Sequence, residues 1–99
     1  MRIERLVGMY IINDIGYTKY REAMMPLLST YGGGFAYDFK IAEVLKSQTQ
    51  KKINRVFIIY FENEKSMNNF FSDDKYLAIK EQYFNDSVSD ITEIAKYKC

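Results

Sequence analysis

The chain predicts an α+β domain with its elements in the order β-α-β-β-α-β, and three observations carry that prediction. Leu6–Ile15 and Arg55–Phe61 are rich in β-branched and aromatic residues and apolar on both alternating sets, as strands covered on both faces are. Two other stretches repeat their apolar residues at three- and four-residue spacing, the period of an amphipathic helix. A run of three glycines, Gly32–Gly34, divides the first helical stretch from the next strand. With 99 residues, 47% of them hydrophobic, one globular domain with a modest core is expected over residues 1–99.

The first strand is Leu6–Ile15, with Leu6, Tyr10 and Ile12 on one face and Val7, Met9 and Ile11 on the other. Asn13 and Asp14 are good N-cap types for the helix Tyr17–Thr30, whose stripe is Tyr17, Tyr20, Met24, Leu27, Leu28 and Tyr31. Pro26 should kink this helix, and the glycine run should end it. Phe35–Leu45 comes next as a strand with Phe35, Tyr37, Phe39 and Ile41 on one face and Ala36, Asp38, Lys40 and Ala42 on the other. Lys46–Asn54 reads as a solvated loop, then Arg55–Phe61 as the central strand. Glu64–Phe71 is a helix, Ser72–Asp74 breaks it, and Lys75–Phe84 continues helical. Val88–Tyr97 closes the fold as an edge strand.

That order is the ferredoxin-like split βαβ arrangement: a four-stranded antiparallel sheet with its helices on one face. Strands apolar on both faces would leave a monomer with a large greasy surface on the uncovered side. A C2 homodimer joined through the sheets is the simplest way to cover it.

Composition removes several chemistries. With no histidine there is no Ser-His-Asp triad, no His-ligated zinc or haem iron and no histidine pH switch. Acidic residues are not spaced as metal ligands, and no cofactor or metal is expected. A net charge of +1 gives no reason to expect nucleic acid or an anionic membrane as partner. The single cysteine, Cys99, makes no internal disulfide. No signal peptide is expected at Met1–Arg5, and no apolar run approaches the roughly 18 residues that span a bilayer. A cytoplasmic protein is the expectation.

The run Tyr17-x-x-Tyr20-Arg21, Pro26, Tyr31-Gly32-Gly33, Phe61 and Phe70-Phe71-Ser72-Asp73-Asp74-Lys75-Tyr76 resembles the domain-of-unknown-function 1330 family, from about Tyr10 to Tyr97. That family is a branch of the dimeric α+β barrel superfamily, whose other branches include monooxygenases, isomerases and haem-binding proteins. The resemblance implies a homodimer whose sheets join into a barrel, with a ligand pocket between sheet and helices in each subunit. It secures fold better than function. The chain departs from the family pattern at Asn13, where an aspartate is usual, and at Tyr83, where an arginine is frequent.

Nine tyrosines are the most unusual feature. Tyr10, Tyr20, Tyr31, Tyr60, Tyr76 and Tyr83 are candidates to converge on such a pocket, where a phenol can stack on an aromatic ligand, donate to an oxyanion or shuttle a proton. Packing is the competing reading for each. Tyr20 and Asp38 are the candidate catalytic residues, Asp38 as a general base if burial raises its pKa. Asn13, Arg21, Tyr31, Tyr60, Tyr76 and Tyr83 are the candidate ligand-binding residues, Arg21 being the best remaining anion site. Asp38 as a solvated strand residue, Asn13 as a helix cap and Arg21 in a surface or subunit salt bridge are the competing readings. Two functions are open on these residues. One is a cofactor-independent monooxygenase- or isomerase-like enzyme acting on a hydrophobic or aromatic small molecule. The other is a non-catalytic binding or accessory protein with the same pocket.

Overall fold

The computed structural model describes all residues, 1–99. Its elements are β1 (Ile3–Ile11), α1 (Asp14–Thr30), β2 (Gly34–Lys40), β3 (Arg55–Phe61), α2 (Glu64–Ser72), α3 (Asp74–Ile79) and β4 (Val88–Lys98). The four strands form one sheet in the order β2-β3-β1-β4, with every neighbouring pair antiparallel. This is the ferredoxin-like topology, with β4 at an edge as expected. No helix is long and apolar enough to cross a membrane.

β1 and β3 alternate as two-faced strands. Ile3, Val7, Met9 and Ile11 of β1 and Phe57, Ile59 and Phe61 of β3 are buried against the helices. Leu6, Tyr10, Val56, Ile58 and Tyr60 lie on the opposite face and are half-buried. β1 starts three residues earlier than the apolar run suggests, because Ile3–Arg5 pair with Ile59–Phe61 on one side and Lys96–Lys98 on the other. Backbone pairing there overrides the charged side chains Glu4 and Arg5.

β2 corrects the strand expected at Phe35–Leu45 in two ways. It ends at Lys40. It also carries a bulge: Phe35 pairs with Ile59 and Tyr37 with Ile58, which leaves Ala36 unpaired. A bulge shifts the alternation by one residue. Phe35 and Asp38 therefore share the helix side, while Tyr37 and Phe39 go to the open side, where they are 59% and 52% exposed and stack at 5.9 Å.

α1 is capped by Asn13, whose side chain accepts from the Gly16 N–H at 3.0 Å. The helix runs through Pro26 to Thr30. It ends in a Schellman motif: Gly32 N–H donates to Ser29 O and Gly33 N–H to Leu28 O. Gly32 takes φ 71°, a backbone conformation that favours glycine.

The segment between β2 and β3 is exposed from Ala42 to Lys52, as expected of a solvated loop, and is tied to the sheet near its end. The Asn54 side chain both accepts from and donates to the Ile11 backbone, at 2.8 and 2.9 Å. Lys52 N–H donates to Asp90, and the Lys51 ammonium to Ile91 O. Ile53 lies over Gly8 on the open face, where a Cβ would meet its side chain at 2.9 Å.

Candidate functional site

The helical layer and the inner face of the sheet flank a cavity of about 250 Å³, partly open to solvent beside Leu77 and Ile91, with 13 of its 15 lining residues hydrophobic. The sheet contributes Val7, Met9, Phe35, Phe57, Ile59 and Ile91. α1 contributes Tyr17, Tyr20 and Met24, one helical stripe at three- and four-residue spacing. Phe71, Tyr76, Leu77 and Phe84 close the other side, and Arg5 and Lys80 are the two charged lining residues. Past Ile79 the helix widens into a π turn, Lys80–Phe84, which brings both its end residues to the cavity. Such turns are rare and concentrate at functional sites.

The cavity rests on an aromatic cluster. Phe70, fully buried, has the Tyr76 ring at 4.5 Å, Phe71 at 5.1 Å and Phe61 at 5.7 Å. Tyr20 packs on Phe84 at 4.9 Å and meets Tyr76 hydroxyl to hydroxyl at 2.9 Å. Burial pushes the Tyr20 phenol far above its ordinary pKa, and the neighbouring Tyr76 pushes the same way. Burial raises Tyr76 and Tyr17 as well. All three remain neutral phenols at physiological pH. They offer hydrogen bonds to a ligand oxygen and no phenolate to abstract a proton.

Asp38 sits elsewhere. Its carboxylate accepts from Arg55 twice at 2.8 Å and from Arg21 at 3.1 Å. Partial burial alone would raise its pKa, but the Arg55 and Arg21 guanidiniums outweigh that and hold it below the usual carboxylate value. The base expected from burial is thus a poor base, and its oxygens are already occupied. Arg21 is itself buried, donating from Nε to the Tyr17 hydroxyl at 2.8 Å, with its guanidinium 3.7 Å over the Phe35 ring. The Arg21–Asp38–Arg55 group ties α1 to β2 and β3, and supports the cavity through Tyr17 and Phe35.

This cluster sets a pH-dependent prediction. Asp38 has a depressed pKa when folded, so its stabilisation is present above the unfolded value of about 4 and is lost as pH falls through the folded value. Breaking a fully buried pair costs 3–5 kcal/mol, but the Asp38 side chain is 30% exposed. Asp38→Asn is therefore expected to cost about 2 kcal/mol at pH 7. In urea unfolding the gap from wild type should narrow below about pH 4.

Of the other candidates, Tyr20 and Tyr76 line the cavity and the rest do not. Asn13 is spent on the α1 cap. Tyr31 donates to Asp73, whose other oxygen caps α3 through Lys75 N–H at 2.7 Å, so Tyr31 braces two helix ends. Tyr60 lies on the open face beneath the Arg2 guanidinium at 3.8 Å. Tyr10 is on that same face. Tyr83 is half-buried beside the core and its carbonyl accepts from Ser87. Arg5 and Lys80 are cavity residues that the sequence reading missed. Each leaves a faint trace there: Arg5 falls on the Ile3–Val7–Met9 alternation, and Lys80 lies four residues after Tyr76.

The family model described as Domain of unknown function (DUF1330) matches residues 6–97. The chain belongs to this family. No curated protein matches it in sequence. Among solved structures, this DUF1330 chain is similar to a protein of unknown function from Rhodopseudomonas palustris, at TM-score 0.83 and 16% identity over 99% of this chain and 82% of that one. It is also similar to a dabb family protein with a ferredoxin-like fold from Mesorhizobium loti, at TM-score 0.68 and 13% identity, covering 99% and 96% of the two chains. A third neighbour is a dimeric protein of unknown function with a ferredoxin-like fold from Bacteroides fragilis, at TM-score 0.63 and 9% identity, again over 99% and 96%. At these identities the likeness to the three structures is one of fold.

Proposed function

We propose that this DUF1330 protein binds a small apolar molecule, best matched by a monocyclic aromatic one, in the cavity between sheet and helices of each subunit of a cytoplasmic homodimer. The cavity is the observation that carries this reading. A cavity of about 150 Å³ accommodates benzene, and this one has about 250 Å³ with aromatic walls. The paired Tyr20 and Tyr76 hydroxyls give it one polar point for orienting a ligand oxygen. The homodimer rests on the open sheet face, where Tyr37 and Phe39 are more than half exposed beside Ile58 and Leu6. The similar Bacteroides fragilis protein being dimeric supports it.

Binding fits the geometry better than acid–base catalysis, because the cavity tyrosines stay protonated and Asp38 is engaged by two arginines outside the lining. A monooxygenase- or isomerase-like step would rest on Tyr20 and Tyr76 as donors to a developing oxyanion. Native mass spectrometry of gently purified protein tests the reading. The expected result is a dimer retaining a small extra mass, or taking one up when a monocyclic aromatic is added. A monomer that takes up nothing would overturn it.

A further inference from the structure

We propose that the ligand of this cavity is an organic anion, a compact apolar body ending in a carboxylate held by Arg5 and Lys80. This rests on the ligand-binding reading above and adds the charge of the ligand to it. Thirteen of the 15 lining residues are hydrophobic, the other two are Arg5 and Lys80, and no aspartate or glutamate lines the cavity. A purely apolar ligand would have no use for two cations at the wall, and cations beside an apolar cavity favour a ligand with a negative end.

The state of each cation suits the role. Arg5 comes from β1, on the helix side between Ile3 and Val7. Glu93 takes its Nε at 3.2 Å, which leaves the two terminal nitrogens of the guanidinium fork for a second acceptor. Its carbon centre lies 5.5 Å from the Phe71 ring, which also lines the cavity and has the Tyr76 ring at 5.4 Å. Arg5 and Tyr76 thus flank the same lining ring. Lys80 makes no ion pair; its ammonium lies 5.7 Å from the Phe84 ring, another lining residue. A carboxylate at the wall of this cavity would draw on the Arg5 fork and the Lys80 ammonium, while its apolar body filled the space toward Met9, Met24 and Phe57. Scaled from benzene in about 150 Å³, the volume suits on the order of ten non-hydrogen atoms.

The test is a calorimetric comparison of isosteric pairs at pH 7.5: phenylacetate, 3-phenylpropionate and hexanoate, each against its primary amide. The expected result is that at least one acid binds about tenfold or more tightly than its amide, with the ratio shrinking as salt is raised. In Lys80→Gln the ratio should fall about threefold, and in Arg5→Gln/Lys80→Gln to within about twofold. The single variant keeps the test open if the double variant does not fold. Amides binding as tightly as acids in the wild type, or an unchanged ratio in Lys80→Gln, would overturn the anion assignment and leave the cavity reading standing. Failure of every acid and amide to bind would overturn the ligand-binding reading and this inference with it.

Discussion

Phe70→Ala is expected to lower stability by about 4 kcal/mol and the melting temperature by roughly 20 °C. Phe70 has no exposed surface and is ringed by Phe61, Phe71, Tyr31 and Tyr76. Truncation removes a full aromatic side chain, and its neighbours belong to four different segments that cannot all collapse inward. A total stability of 5–15 kcal/mol is usual for such a domain, so the loss is a large share of it. Phe71→Ala should cost about half as much, because Phe71 is only partly buried and already borders empty space. Thermal unfolding of the two variants side by side checks the order. Equal losses would mean that the cluster is not centred on Phe70.

Ile58→Lys is expected to abolish the proposed dimer and leave a folded monomer. Ile58 sits mid-sheet on the open face, with Leu6 of β1 beside it on one side and Tyr37 of β2 on the other. In a sheet-to-sheet dimer related by a two-fold axis the new ammonium is buried twice, once from each subunit. An unpaired buried charge costs several kcal/mol, more than the margin of most small interfaces. In the separated subunit the same lysine reaches water easily. Light scattering and circular dichroism together read the outcome. A variant that stays dimeric would place the interface away from this face.

The fold was legible in the sequence because its signals were redundant. Arg55–Phe61 is apolar on both faces and lies between two polar stretches, and its bounds are those of β3. Glycine after the Tyr17–Thr30 stripe marked the end of α1, and the Schellman bonds show why. The site was legible only in part. Tyr20 and Tyr76 belong to helical stripes and line the cavity, whereas Tyr31, on the same stripe as Tyr20, and Tyr60, on a strand, pack elsewhere. A phenol has an apolar body and a polar tip, so sequence alone does not separate a cavity tyrosine from a brace. The bulge at Ala36 carries no composition signal, and it reverses the face of every residue from Tyr37 onward. Asp38 thereby comes to Arg21 and Arg55. Arg5 was hidden because β1 begins in a charged stretch, where only pairing with both neighbours makes a strand.

Whether the space between sheet and helices receives a ligand is the question on which every functional statement above depends. Of the five methionines, Met9 and Met24 line that space, while Met1, Met25 and Met67 do not. Methyl-labelled methionine NMR during titration with 3-phenylpropionate reads each position separately. Ring-current shifts are predicted at Met9 and Met24, with Met1 and Met25 unmoved. Shifts confined to Met1 and Met25, or none at all, would contradict a ligand in the cavity.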